Sequence, residues 1–292
     1  MSSRPASSPG ASRRTLLAGA AAGLGSLLLP RSWSGSARAA AAADAPLVVP
    51  PWDAVPACTP SRTDQARQGP FFIHNGERDD DVDMFRQDIR GRYNQDAEPG
   101  VQMHLHLRVL DAGSEQCGTT PLTGVEVYVW HVDAQGFYSG FGNPGEQNPD
   151  EVYRNRPNTN ELYNNARFCR GIGISDANGV VSFRSIFPGW YNGRDLHIHA
   201  MVLKRGSQAR GRVYYRGDDH LFTTQLYFDP SLTDSVHRSQ QPYLRRTLLP
   251  AYAGCIQADE RGNSGLRCKA QFEGGVVTAQ MQLVVDPRQS RT

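Results

Sequence analysis

The sequence predicts an all-β protein, built as an antiparallel β-sandwich with long loops and few short helices. Short segments of alternating or β-branched residues recur between turn signals, and long amphipathic helical periodicity is absent. The predicted strands are Gln102 to Leu110, Val125 to His131, Gly179 to Ile186, Leu196 to Leu203, Leu221 to Phe228 and Val276 to Val285. Strands of this kind bury their apolar faces by packing sheet on sheet.

Each predicted strand has a local basis. The first, from Gln102, alternates polar and apolar residues, as expected for a half-buried strand. The second, from Val125, is rich in valine and aromatic residues, which favour strands. The third follows the turn signature Asp-Ala-Asn-Gly at 176–179. The remaining three repeat the β-branched and aromatic composition.

The first residues of the chain are typical of an export signal. Arg13 and Arg14 precede an apolar run from Leu16 to Leu29, and small residues around Arg38 suit cleavage. This pattern resembles a twin-arginine signal. The alternative is a short membrane anchor, but the run is shorter than the roughly 20 residues that span a bilayer. We therefore expect a cleaved signal and a protein exported to the periplasm or beyond the cell, with no membrane attachment afterwards.

The rest of the chain is expected to form one domain. About 250 residues remain after the signal, and no break in composition divides them. We predict three parts: the signal at 1–43, a loop-rich segment at 44–97 that packs on the core, and the β-sandwich at 98–292. The net charge is +2, and the basic residues are scattered arginines without a stripe of interleaved aromatics, so no nucleic-acid partner is expected.

Five cysteines fit an oxidising destination, although their odd number leaves one unpaired. Cys255 and Cys268 are close enough in sequence to close a C-terminal loop, and Cys58 with Cys117 is the second predicted pair. This leaves Cys169 free and buried. Spacing alone does not fix the connectivity, so these pairs are hypotheses.

Two histidines one residue apart are the strongest functional signal. His197 and His199 point to the same face of an extended strand, while Ile198 packs on the opposite side. Tyr191 lies in the loop that enters this strand, and Tyr138 follows another strand at a glycine-containing turn. Neutral imidazoles beside phenolate oxygens favour a hard, highly charged cation such as Fe(III).

The chain supplies its own comparison. His104 and His106 have the same spacing, but no tyrosine in a glycine-bearing turn accompanies them. We interpret them as ordinary strand residues, because an isolated pair of this kind is more often packed or exposed than metal-binding. His131 is expected to pack or form hydrogen bonds beside Trp130.

Several blocks together resemble the intradiol ring-cleavage dioxygenases, the family of the catechol 1,2- and protocatechuate 3,4-dioxygenases. The blocks are Trp-His-x-Asp-x-x-Gly-x-Tyr-Ser at 130–139, Ser-Asp-Ala-Asn-Gly at 175–179, Phe-Arg-Ser-Ile-Phe-Pro-Gly-Trp-Tyr at 183–191, Arg-x-x-His-Ile-His at 194–199 and Thr-Thr-Gln at 223–225. Weaker matches precede them at 59–60, 69–72 and 86–89. The resemblance extends over roughly Cys58 to Phe228. The export signal and the cysteines make the chain similar to an extracellular, single-domain branch of the family.

The resemblance implies a site and an activity. Tyr138, Tyr191, His197 and His199 would bind one non-haem Fe(III) per chain, and an incoming catechol would displace Tyr191. With O2, catechol-type diols would be cleaved between their hydroxylated carbons to give muconate-type diacids. Arg194 would stabilise negative charge on the substrate ring, and Gln225 would form hydrogen bonds near it.

The partners expected from this resemblance are small-molecule catechols and O2. Export suggests catechols met outside the cytoplasm, such as fragments of lignin or other plant phenolics. The pocket is expected to include Gly69 to Phe72 and the loop around Trp190. The segment between the signal and the first predicted strand is too short for the helical N-terminal domain through which catechol 1,2-dioxygenases dimerise. We therefore expect a monomer, or a homo-oligomer that lacks this dimer interface.

Two other classes of protein compete with this interpretation. A secreted β-sandwich could bind a ligand without redox chemistry, because this scaffold hosts many functions. A zinc hydrolase could also use a pair of histidines. Zinc sites draw on His, Cys or carboxylate ligands, however, and no general-base glutamate follows His199. Both rivals predict a colourless protein, whereas Fe(III) bound by tyrosinate absorbs visible light.

Overall fold

Two packed sheets form the body of the protein. The computed structural model describes residues 46–54, 62–73, 84–91, 97–113, 120–141, 162, 164–204, 220–257 and 266–288. Its strands are β1 (Gln102–Asp111), β2 (Glu126–Trp130), β3 (Arg170–Ile174), β4 (Val180–Ile186), β5 (His197–Leu203), β6 (His220–Tyr227), β7 (Lys269–Glu273) and β8 (Val276–Val285). They are ordered β4-β1-β8-β7 in one sheet and β3-β2-β5-β6 in the other. The predicted β-sandwich is confirmed, and β1 and β8 are the parallel neighbours among otherwise antiparallel pairs.

Two strands were not predicted, for different reasons. β3 contains two glycines, which are poor strand formers, but both are required by close packing. A Cβ on Gly171 would lie 2.4 Å from Ile89 Cγ2, and one on Gly173 would lie 2.3 Å from Val181 Cγ1. β7 is a polar strand at the edge of its sheet, so it lacks the apolar alternation of a buried strand.

A helical segment follows β6. Helix α1 (Pro230–Ser239) begins where Asp229 accepts a hydrogen bond from the Ser231 N–H at 2.8 Å, with proline at the first helical position. Two 3₁₀ helices follow, at Tyr243–Leu248 and Tyr252–Cys255. Within the described part of the chain, no helix combines the length and apolar character needed to cross a membrane.

The core lies between the sheets, and strand parity separates it from a second layer. Ile198, Ala200 and Val202 of β5 belong to the central hydrophobic cluster. Their neighbours in sequence, His197 and His199, lie on the outer face of the same sheet because successive side chains alternate across a strand. The expected packing of Ile198 opposite the histidines is therefore present.

Loops cover this outer face, so it is buried as well. Phe72 packs at 5.3 Å between ring centroids against both Tyr128 and Trp130 of β2. Phe71 stacks on Tyr138 with centroids 4.5 Å apart. The aromatic layer excludes water from the outer face of the sheet, which gives the buried histidines an apolar surrounding.

The predicted disulfide between Cys255 and Cys268 is wrong. Both thiols are free, because they lie in different hydrophobic clusters: Cys255 packs with Trp190 and Tyr252, and Cys268 joins the central core. Burial raises the pKa of the Cys268 thiol to about 12. Cys169 is free and buried, as predicted. The other predicted pair, 58 with 117, lies outside the described residues.

Two buried neutral histidines predict sensitivity to acid. Burial lowers the pKa of His131 and of His237 to about 4, against an ordinary value near 6.5. The unfolded chain therefore binds more protons between these values. For the metal-free protein, the free energy of unfolding should fall as the pH drops from about 6.5 toward 4, by on the order of 3 kcal/mol for each histidine.

Urea unfolding at pH 7, 5.5 and 4.5 tests this expectation. The His237→Gln variant should show a shallower dependence on pH than the wild-type protein, because it removes one of the buried histidines whose pKa is lowered by folding. Carboxylates titrate mainly below this window, so they contribute little to the comparison. An identical slope in the variant would contradict the role of His237.

Candidate metal centre

Two histidine ring nitrogens face each other at the start of β5. The Nε2 atoms of His197 and His199 are 3.1 Å apart, and both side chains are buried. In the antiparallel register, Tyr227 lies opposite His197, and Gln225 lies opposite His199. Two nitrogens this close must share a proton or a cation, because two lone pairs would repel.

The surroundings orient the imidazole of His197 and keep that of His199 neutral. His197 Nδ1 donates a hydrogen bond to the backbone oxygen of Asp195 at 2.5 Å, which directs the Nε2 lone pair toward His199. The His199 ring stacks on Trp130, with centroids 4.7 Å apart and an interplanar angle of 1°. Burial, then His197 and Arg194, hold the pKa of His199 well below its ordinary value.

Tyr138 reaches the same point from the turn after β2. Asp133 Oδ1 accepts hydrogen bonds from the Gln135 and Phe137 N–H groups at 2.8 and 3.0 Å, which fixes the turn. Tyr138 Oη then lies 3.1 Å from His199 Nε2 and 3.4 Å from His197 Nε2. The phenol oxygen is therefore within reach of both ring nitrogens.

Tyr191 completes the cluster from the segment that precedes β5. Its Oη lies 3.4 Å from His197 Nε2, and its ring packs edge-to-face on Tyr138. Tyr191 is 8% exposed, whereas Tyr138, His197 and His199 are at most 2% exposed. It is thus the ring of the four that lies nearest to solvent.

The electrostatics of Tyr138 match a site for a cation. Burial raises its pKa well above the ordinary value, and Tyr191 adds to this shift, whereas Arg170 and Arg194 oppose it. Two phenol oxygens and two neutral imidazoles are the donors that a hard trivalent cation prefers, and its charge would hold them as phenolates. The residues present therefore fit the Fe(III) predicted from the sequence.

A guanidinium and an amide lie beside the four rings. Arg194 Nη2 donates to Gln225 Oε1 at 2.7 Å, and the hydroxyl of Tyr227 donates to the same oxygen at 2.8 Å. Gln225 Nε2 in turn donates to the backbone oxygen of Arg67 at 2.8 Å. This network orients the charge of Arg194, and it ties β6 to the N-terminal loop.

That loop closes over His199. Gly69 has φ of +74°, and a Cβ there would lie 3.4 Å from His199 Cε1. Only glycine adopts this conformation at low cost. Because glycine has no side chain, the backbone can also pass close to the imidazole. With Phe71 stacked on Tyr138, the loop lies against the cluster of rings, and its part in lining a substrate pocket stays a prediction. Trp190, by contrast, packs its ring against Tyr252.

The second pair of histidines lies on the other sheet. His104 Nε2 contacts Gln102 Nε2 at 2.7 Å, and His106 Nδ1 contacts Ser182 Oγ at 2.8 Å. No tyrosine hydroxyl joins them in the described structure. In the same described ranges, no group of three His, Cys, Asp or Glu side chains is arranged to hold a metal ion.

The structure brings all six nominated residues to one place. The two-histidine, two-tyrosine cluster is adjacent to the Arg194 and Gln225 pair. Their roles toward a metal or a substrate remain predictions. Arg170 was not predicted as part of the site. Its fully buried guanidinium lies 5.9 Å from the Tyr138 ring centroid and donates to Ser139 Oγ at 2.8 Å. Its strand was not predicted, so no signal pointed to it.

The fold and the four converging rings define a class of β-sandwich proteins with a two-tyrosine, two-histidine centre. A family model described as "Dioxygenase" matches residues 67–264, more than half of the chain. The protein therefore belongs to the intradiol ring-cleavage dioxygenase family. No curated protein sequence matches the chain.

Solved structures of dioxygenases are similar to this chain, and the one from Tetranychus urticae shares its fold. An intradiol ring-cleavage dioxygenase from Tetranychus urticae is 23% identical, with 80% of this chain and 98% of that chain covered and a TM-score of 0.55. The dioxygenase domain of a carbohydrate-binding protein fusion from Streptomyces sp. SirexAA-E is 23% identical, with 77% and 99% covered and a TM-score of 0.43. Catechol 1,2-dioxygenase from Pseudomonas arvilla C-1 is 20% identical, with 78% and 63% covered and a TM-score of 0.42.

Proposed function

We propose that this protein is a secreted, non-haem Fe(III) intradiol dioxygenase. It cleaves catechol-type aromatic diols with O2, between the two hydroxylated carbons, to give muconate-type diacids. The observation that carries the proposal is a cluster of four buried rings, those of Tyr138, Tyr191, His197 and His199, in which each donor atom lies within 3.4 Å of at least one other. Membership of the family supports the reaction class.

The four rings would hold the ferric ion. Bound there, Fe(III) would keep the tyrosines as phenolates and draw electron density from a bound catecholate, which makes a ring carbon reactive toward O2. The described aromatic layer formed by Phe71, Phe72 and Trp130 keeps bulk water from the site. Exclusion of water strengthens every electrostatic interaction inside it.

Tyr191 is suited to take a proton from the substrate. It is the most exposed of the four rings, and its oxygen lies 3.4 Å from His197 Nε2, whereas Tyr138 Oη approaches His199 Nε2 to 3.1 Å. As a phenolate, Tyr191 Oη would accept a proton from a catechol hydroxyl, and the neutral tyrosine would make room for the substrate oxygen. Tyr138, packed between Phe71 and Tyr191, would stay in place.

Arg194 supplies fixed positive charge for the substrate ring. Its guanidinium cannot lose its proton at ordinary pH, and Gln225 holds it in one direction. Negative charge that develops on the ring as it reacts would be stabilised by this cation, because the donors need no reorganisation. Tyr227 and Arg67 O keep the amide of Gln225 in the matching orientation.

Export and substrate class are parts of the same proposal. The arginine pair at 13–14 and the apolar run that follows it support a twin-arginine signal. An exported enzyme would meet catechols outside the cytoplasm, among them phenolic fragments of plant material. We propose no nucleic-acid partner and no membrane attachment of the mature protein.

The visible spectrum of the purified mature protein, recorded without O2 before and after addition of catechol, tests the proposed function. A tyrosinate-to-iron band that moves to longer wavelength on addition, followed by formation of a muconate-type diacid when O2 is admitted, is the expected result. The zinc-loaded protein is the colourless control. A preparation that stays colourless after reconstitution with iron would overturn the proposal, and would favour the binding-module or zinc alternatives.

A further inference from the structure

The two tyrosine-bearing turns lie in direct backbone contact. The Gly189 N–H donates to the backbone oxygen of Asp133 at 3.0 Å. A Cβ on Gly136 would lie 2.3 Å from the oxygen of Trp190, and one on Gly189 would lie 2.4 Å from the oxygen of Ala134. The two turns therefore pack directly against each other. The distance between Tyr138 and Tyr191 depends on how the turns are packed.

The helical segment after β6 holds the turn that leads to Tyr191 by its carbonyl groups. The Tyr243 hydroxyl donates to Phe187 O at 2.6 Å, and His237 Nε2 donates to Pro188 O at 3.0 Å. Together with the Gly189 N–H bond, these interactions satisfy successive backbone groups up to residue 189. A segment without regular secondary structure is thereby fixed at each step.

Arg246 makes the last of these contacts, next to Tyr191. Its Nη2 donates to the oxygen of Trp190 at 2.8 Å, and its guanidinium carbon lies 4.6 Å from the centroid of the Trp190 ring. The same Nη2 would lie 3.3 Å from a Cβ built on Gly136, which places the guanidinium beside the other turn. Arg246 is only 5% exposed, although burial of a cation is costly.

We propose that Arg246 is a positioning residue that locks the Tyr138 and Tyr191 turns together and thereby sets the geometry of the metal centre. The inference rests on the proposed function for its catalytic consequence. Arg246 acts through the carbonyl group and the ring of Trp190, since it does not touch the four donor rings in any described contact. Arginine suits this role because one planar group can donate a hydrogen bond and stack on an aromatic ring at once.

The test compares Arg246→Ala and Arg246→Lys with Arg245→Ala. Arg245 is the adjacent arginine and is exposed, so its replacement by alanine removes the same charge without removing a buried contact. In the metal-free protein, amide hydrogen exchange of residues 133–138 and 187–191 should accelerate by about tenfold or more in Arg246→Ala, the loss expected for one charged hydrogen bond. Arg246→Lys, which keeps a charged donor but loses the planar stacking, should recover part of the protection. Arg245→Ala should match the wild-type protein.

In the iron-loaded protein, the tyrosinate-to-iron band of Arg246→Ala should move or broaden, and kcat should fall roughly 10- to 100-fold with a smaller change in KM. Unchanged exchange in both turns, or equal effects of Arg245→Ala, would overturn the inference. If Arg246→Ala does not fold, the lysine variant decides: wild-type exchange and an unshifted band there would also overturn it. A colourless wild-type protein would refute the proposed function, while the exchange data would still decide whether Arg246 joins the turns.

Discussion

Replacing His197 and His199 together by alanine is expected to abolish iron binding and ring cleavage. The two Nε2 atoms are 3.1 Å apart and would supply half of the proposed donor set, so their loss would leave only two phenol oxygens. Mutation of residues that merely orient metal ligands already costs about 10- to 100-fold in affinity, and removal of two direct ligands should exceed this. Iron per folded protein, measured by elemental analysis with circular dichroism as a check of folding, gives the result.

The matched control is the double replacement of His104 and His106 by alanine. It changes the composition identically, but on the outer face of the other sheet. Some stability should be lost, because His106 is buried and bonded to Ser182, yet iron per folded molecule should stay at the wild-type value. Wild-type iron in the 197/199 variant, or loss of iron in the control with an intact fold, would show that the metal binds elsewhere.

Gly136→Ala is expected to be the most damaging single methyl addition at the site. Gly136 has φ of +84°, and the new Cβ would lie 2.3 Å from the backbone oxygen of Trp190. The left-handed conformation costs about 1–2 kcal/mol for a residue with a Cβ, and overpacking adds about 1–3 kcal/mol. The clash also pushes the Trp190 carbonyl, and with it Tyr191, away from Tyr138. We expect lower stability together with weaker iron binding.

Gly193→Ala separates the two costs. Gly193 has nearly the same backbone conformation, with φ of +83°, but a Cβ there would meet nothing within 4 Å. Its variant should lose only the conformational term in urea unfolding, about 1–2 kcal/mol. Equal destabilisation by the two alanines would mean that the tyrosine turns are not in the tight contact described, and would also weaken the case for Arg246.

Six of the eight strands in the described residues were predicted, because they carry their own signals. Alternation along β1, the valine-rich β2 and the Asp-Ala-Asn-Gly turn before β4 are local features that the chain displays wherever it folds. β3 and β7 lack such signals. β3 is a strand because its glycines let Ile89 and Val181 approach, and that requirement arises only when the layers are packed.

The cysteines illustrate the same limit. Proximity in sequence suggested a bond between Cys255 and Cys268, yet one thiol packs beside Trp190 and the other joins the central core. Two cysteines 13 positions apart in sequence can end in the same cluster or in separate ones. A disulfide requires a specific separation of the two Cα atoms, and spacing in sequence alone does not impose it.

Local patterns along the chain were enough to predict the fold class and to nominate the candidate donors. Strand alternation places His197 and His199 on one face whatever surrounds them. Glycine and proline residues close to Tyr138 and Tyr191 indicate the turns that carry these tyrosines. Three features could be found only in the folded structure: the buried Arg170 beside Tyr138, the free thiols of the described cysteines, and the hydrogen bond from Arg246 to the Trp190 oxygen. Backbone dihedral preferences act within a few residues, whereas contacts between residues 56 positions apart, such as Arg246 and Trp190, arise only when the packing of the whole core is complete.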